Sequence, residues 1–151
     1  MFQNRLVALV LAALLLSSCG SKSSEPLPPE IIYGQEMCDR CGMIISDVRF
    51  ASAILLNNGE YRKFDDVGEM LAYQNDHPDE QVDALFVHDY LSEEWIRGET
   101  AFYVQSEDLQ TPMGSGIVAF ANQVEAESFA VEWHGKVQSL DDLRSGVIPD
   151  M

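Results

Sequence analysis

A short signature occurs twice in this chain and fixes most of what it can become. Phe64-Asp65-Asp66-Val67-Gly68-Glu69 and Phe120-Ala121-Asn122-Gln123-Val124-Glu125 both read Phe-x-[Asp/Asn]-x-x-Glu, offset by 120 − 64 = 56 residues. Each copy has the grammar of a helix start. Asp66 with Glu69, and Asn122 with Glu125, have capping-box spacing. Val67, Met70 and Leu71 then fall on one helical face, as do Ala126, Phe129, Ala130 and Trp133. Pro78 biases His77 away from helical geometry, so the first helix ends by residue 76. Gly135 suits the C-cap of the second.

Strand-like runs flank both helices. Residues 50–56 are apolar and partly β-branched. Asn57-Asn58-Gly59 suits a tight hairpin with positive φ at its two central positions, and residues 60–64 alternate as its second strand. Residues 82–90 contain Ala-Leu-Phe-Val, a buried strand. In the second half, residues 101–105, 117–120 and 136–140 read as strands, with a long polar loop over 106–116. The expected fold is α+β: two duplicated β-β-α-β units, about 31–92 and 93–151, with mostly antiparallel strands and two helices.

The first eighteen residues have a different role. Arg5, the apolar run 6–16 and Leu16-Ser17-Ser18-Cys19 form a secretory signal too short to span a bilayer comfortably. The last four residues match a bacterial lipobox, with Cys19 as the lipidated mature N-terminus. Gly20, rather than aspartate, follows Cys19, which favours the outer membrane over the inner one in a periplasmic setting. Residues 19–30, rich in Ser and Pro, read as a flexible linker with a reach of about 30 Å.

Charge narrows the partners. Lys and Arg total 9 against 25 Asp and Glu, a formal net charge of −16. Removing residues 1–18 leaves 151 − 18 = 133 residues and 8 − 25 = −17. Such a chain lacks the cations that neutralise phosphates, so nucleic acid is excluded as a partner. It is soluble and attracts cations and basic surfaces.

With Cys19 committed to lipid, Cys38 and Cys41 remain. They lie in Met37-Cys38-Asp39-Arg40-Cys41-Gly42-Met43, two thiols and two thioethers within seven residues. CxxC spacing admits four chemistries. Structural zinc wants four Cys or His ligands, and the histidines His77, His88 and His134 are scattered. Thiol–disulfide exchange wants the motif opening a helix after a strand, and here it precedes a strand. A structural disulfide closes so short a loop that it constrains little. Cu(I) binding matches the soft donors. Met43 and Met113 lie outside the apolar periodic segments that would make them core. Met70, on a helix face, reads as core, and Met37 is open to either role. No paired carboxylate or nucleophile–base motif stands out, which favours a carrier over an enzyme.

Cys38-x-x-Cys41-Gly42-Met43 with Thr111-Pro112-Met113-Gly114-x-Gly116-x-x-Ala119-Phe120 resembles the NosL family, lipoprotein accessory factors of nitrous-oxide reductase. The resemblance extends from Glu36 to about Leu143 and takes in Asp89-Tyr90, Trp95 and residues 101–104. It implies a Cu(I)-binding metallochaperone that delivers copper to the maturation proteins of nitrous-oxide reductase. Cys41, Met43 and Met113 carry over as metal-site residues, with Cys38 beside them. A histidine ligand fits such a site, and His88 is the candidate. The competing expectation is a membrane-anchored CxxC thiol–disulfide oxidoreductase.

Overall fold

Residues 52–56, Ser-Ala-Ile-Leu-Leu, are apolar toward both faces, as a strand covered on both sides must be. In the computed structural model, which describes residues 25–146, they form β1 (Ser52–Leu56), with four of the five residues buried. β1 lies inside a four-stranded antiparallel sheet with β2 (Tyr61–Phe64), β3 (Val82–His88) and β4 (Trp95–Arg97), in the order β2-β1-β3-β4. A second sheet joins β5 (Phe102–Gln105), β6 (Ile117–Phe120) and β7 (Lys136–Gln138), in the order β6-β5-β7, again antiparallel. The described residues hold three α-helices: α1 (Val67–Asp76), α2 (Gln123–Glu132) and α3 (Leu140–Ser145).

The duplication is visible in this topology. In each unit the first strand sits between the second and the third, and a ten-residue helix connects the second to the third. Phe64 and Phe120 both end their second strand and are fully buried. The fold is therefore α+β with two β-β-α-β units, to which β4, a 3-10 turn at Val48–Phe50 and α3 are added.

Local departures have local causes. The hairpin after β1 uses a three-residue loop. Leu56 N donates to Glu60 O (2.9 Å), Gly59 N donates to Leu56 O (2.8 Å), and Gly59 alone of the three has positive φ, at 87°. That is the longer hairpin class, with glycine at its left-handed position. At the end of α2 the left-handed residue is His134 (φ 49°), and Gly135 N reaches back to Ala130 O at 2.8 Å. This is the Schellman bond, so Gly135 stands one place beyond the expected cap. Its lack of a side chain answers a different need: a Cβ there would lie 2.7 Å from Val104 Cγ1 and 2.9 Å from Gln105 O. The last strand stops at Gln138, because Ser139 and Asp142 form a reciprocal capping box that starts α3.

The two halves share one core. A single cluster contains Ile45, Phe64, Met70 and Leu85 from the first half with Tyr103, Ile117 and Leu143 from the second. Backbone also crosses between the sheets: Tyr90 N donates to Ala119 O (2.8 Å) and Ala121 N to Asp89 Oδ1 (2.8 Å). Pro29 and Ile31 are buried, and Tyr61 and Lys63 donate to the Leu27 and Glu30 carbonyls at 2.7 Å each. The end of the segment read as a flexible linker is thus fastened to β2. Cys19 and the signal segment lie outside the described residues. Among the described residues no helix is long and apolar enough to cross a membrane.

Candidate metal centre

The cysteine loop is a tight excursion pinned at both ends. Met37 and Ile44 face each other in an antiparallel bridge. Cys38 N donates to Met43 O (2.8 Å) and Gly42 N to Cys38 O (3.0 Å), with Gly42 at φ 73°. A side chain at that left-handed position would be strained, which is why glycine separates Cys41 from Met43. Asp39 ties the loop to the edge of β2. Its N–H donates to Lys63 O (2.8 Å), and its carboxylate accepts from Lys63 N (2.6 Å).

Within this loop the cysteines are free thiols, Cys38 buried and Cys41 half-buried. Cys41 N donates to Cys38 Sγ at 3.5 Å. Cys41 Sγ in turn donates to Asp65 Oδ1 at 3.5 Å. Burial, above all, pushes the Cys41 thiol up to about 12. The Met43 N–H pulls it down, while the neighbouring Cys38 and Asp65 push it further up. Met43 and Met37 are 56% and 65% exposed, which sets their thioethers at the surface rather than in the core.

A third donor joins the cysteines. One oxygen of Glu69 and the two sulfurs all lie within 4.8 Å of one another. Glu69 is fully buried, and its expected reach back to the Asp66 N–H is not made. Instead Oε1 accepts from Arg40 Nη1 (2.9 Å), while Oε2 has no hydrogen-bond partner among the described residues. Burial raises the Glu69 pKa, and Arg40 opposes that rise. Arg40 also binds Asp76 (3.0 Å), so its charge is spent on carboxylates and not on a thiolate. An unpartnered buried carboxylate oxygen beside two thiols lowers the cost of bringing a cation in.

Met113 comes from the other half. Its N–H donates to Asp66 Oδ2 (3.1 Å), as does the Thr111 hydroxyl (2.6 Å), and the Ser115 hydroxyl binds Asp66 Oδ1. Asp65 touches Cys41 and Asp66 holds the Met113 loop, so two adjacent residues bring both halves to one end of α1. Met113 is half-buried there.

The structure does not bring His88 to this cluster. Its Nδ1 bonds Glu93 O (2.8 Å) and its Nε2 bonds the Tyr33 hydroxyl (2.9 Å). A carbonyl only accepts, so Nδ1 carries the proton and Nε2 receives one from Tyr33. Trp95 covers the ring at 3.8 Å, and burial lowers the pKa of the imidazole. With both nitrogens engaged, His88 is a structural residue of the β3–β4 corner. The sequence reading does not single out Glu69, Asp65 or Asp66 as neighbours of the cysteines and the Met113 loop. A signal existed: the repeat reads Phe-Asp-Asp in its first copy and Phe-Ala-Asn in its second, and the extra acids mark the copy that carries the cysteines.

Fold and site together define a class: a small duplicated α+β domain that gathers two free thiols and a buried carboxylate into one cluster at the start of α1. The NosL family model matches residues 29–148, and the chain belongs to that family. A relative from Stutzerimonas stutzeri, the copper-binding lipoprotein NosL, is 27% identical over 152 residues, which cover 93% of this chain and 80% of that protein. The crystal structure of the copper chaperone NosL from Shewanella denitrificans matches with a TM-score of 0.70 at 22% identity. The match covers 80% of this chain and 98% of that one, and the likeness is one of fold.

Proposed function

We propose that this chain is a Cu(I) carrier, not an enzyme. Lipid on Cys19 anchors it at the periplasmic side of a membrane, the outer rather than the inner. It hands copper to the maturation proteins of nitrous-oxide reductase. The observation that carries the reading is the cluster of Cys38, Cys41 and Glu69 within 4.8 Å of one another, beside Asp65, which accepts from Cys41 Sγ, and Asp66, which accepts from the Met113 N–H. Thiolate and thioether are soft donors and match a soft monovalent ion. The relatives named for copper point the same way.

Transfer follows from the arrangement. Thioethers stay uncharged and need no deprotonation, while a thiolate supplies most of the affinity. Met43 stands more than half exposed, so a receiving protein has access to that edge and can add its own ligand before the donor releases the ion. The buried Glu69 and Asp65 and the acidic surface draw a cation toward the loop.

Copper titration of the reduced full chain in detergent tests this. About one Cu(I) should bind per chain, and Met113→Leu should weaken it about tenfold or more with the fold intact. No uptake of cuprous ion would overturn the reading. Thiol–disulfide exchange is disfavoured by a motif set in a loop rather than at a helix start. A disulfide-reduction assay should accordingly show no turnover.

A further inference from the structure

We propose that Asp66 is the positioning residue of the copper site: its carboxylate fixes the Met113 loop of the second half at the start of α1, next to Asp65, which accepts from Cys41 of the first. The proposal rests on the reading that Met113 is a ligand. It adds the residue that sets where this ligand stands.

Asp66 does more than cap a helix. A cap needs one acceptor. At the matching position of α2, Asn122 satisfies Val124 N (2.8 Å) and Glu125 N (3.3 Å) with a single amide oxygen. Asp66 Oδ1 accepts from Gly68 N (2.7 Å) in the same way. Its remaining acceptor sites then take three donors from residues 111–115: the Thr111 hydroxyl, the Met113 N–H and the Ser115 hydroxyl. An ionised carboxylate offers about four lone-pair positions and no donor. Four donors meet it, and the group is fully buried.

The loop is folded around that carboxylate. Thr111 Oγ1 accepts from Gly116 N (3.2 Å), and Ser115 Oγ accepts from Ile117 N (3.2 Å). Gly114 N closes the turn on Thr111 O (3.1 Å) with φ at 75°. Thr-x-Met-Gly-Ser is thus a cradle of hydroxyls and one N–H converging on an acid supplied by the other half. The preceding residue, Asp65, accepts from Cys41 Sγ. One dipeptide therefore ties Cys41 Sγ and the Met113 backbone to the start of α1. An amide at residue 66 would still cap the helix, but its NH2 would face the Thr111 hydroxyl and the Met113 N–H, donor against donor.

The test compares Asp66→Asn, Met113→Leu and the double variant with the unaltered full chain, reduced and in detergent, with cuprous ion as the probe. Asp66→Asn should keep the far-ultraviolet circular dichroism. It should weaken Cu(I) binding by about 10- to 100-fold, the usual cost of losing a group that orients a ligand. X-ray absorption should count one sulfur fewer per copper, and adding Asp66→Asn to Met113→Leu should weaken binding no further. If Asp66→Asn does not fold, Thr111→Val with Ser115→Ala removes the two hydroxyls, leaves the cap intact and should give the same result. Unchanged affinity and sulfur count in either form, or losses that add in the double variant, would overturn the proposal. If Met113→Leu itself binds copper normally, it is the ligand reading that fails, and the role of Asp66 goes with it.

Discussion

Glu69 and His88 show how far a single residue's role can be taken from sequence. Three positions after Asp66, Glu69 has the spacing of a capping box, and the local pattern is satisfied by that explanation alone. Its side chain goes instead to Arg40 and the two cysteines, because the loop at residues 37–44 lies over that face of α1. Nothing local in the sequence reports a contact between residues 31 positions apart. For His88 the reverse holds. Its place in a strand near an Asp made it a candidate ligand, yet Tyr33, Glu93 and Trp95 close around it. Burial keeps the His88 ring neutral, so its folded pKa lies below the ordinary 6.5. As pH falls, the unfolded chain takes up the proton first. The stability that His88 contributes is therefore complete above pH 6.5 and is lost as pH falls below that value toward the folded pKa. The loss proceeds at no more than about 1.4 kcal/mol per pH unit. Urea unfolding followed from pH 7.5 to 5.5 should show this decline, and His88→Gln should flatten it. Equal slopes in the two proteins would remove His88 as the cause.

At the scale of elements, the duplication was legible because its signals are local and occur in the same order twice. A strand, a phenylalanine, a cap and a helical stripe repeat, and the structure returns the same strand order in both units. What was not legible depends on pairing. β4 has three residues, and its half-buried Trp-Ile-Arg carries no alternation; only the edge of β3 makes it a strand. The strand expected over 136–140 runs into the start of α3, where the Ser139–Asp142 box ends it. Gly135 was assigned by type rather than by place. His134 adopts the left-handed cap, and Gly135 lets β7 approach β5. That distinction is testable. Gly135→Ala puts a methyl group 2.7 Å from Val104 Cγ1 and 2.9 Å from a strand carbonyl, so the backbone of β5 or β7 must move. Destabilisation of about 1–3 kcal/mol is expected, the usual cost of overpacking. Copper stoichiometry should not change, since neither the cysteine loop nor Met113 itself is among what that methyl group meets. A midpoint of unfolding equal to that of the unaltered chain would show that the sheet absorbs the methyl group.

For the molecule as a whole, the site and its tether are separable parts of one chain. The copper donors proposed here all lie within residues 38–113, inside the shared core's reach and held by bonds among described residues. The anchor proposed at Cys19 lies before them, and Tyr61 and Lys63 fasten the chain from residue 27 onward. Leu27 stands 27 − 19 = 8 residues after Cys19, so a lipid on Cys19 would lie at most about 28 Å from it. With Cys19 lipidated as proposed, diffusion would be confined to a surface and the proposed recipient would meet the carrier there. Cys19→Ser should move the protein from the membrane to the soluble fraction and leave Cu(I) stoichiometry and affinity unchanged. Delivery in cells should fall, since a freely diffusing carrier loses the shared surface with its recipient. Fractionation followed by copper titration reads both outcomes. Retention in the membrane would place the anchor elsewhere, and weakened copper binding would make Cys19 a ligand instead of a lipid attachment point.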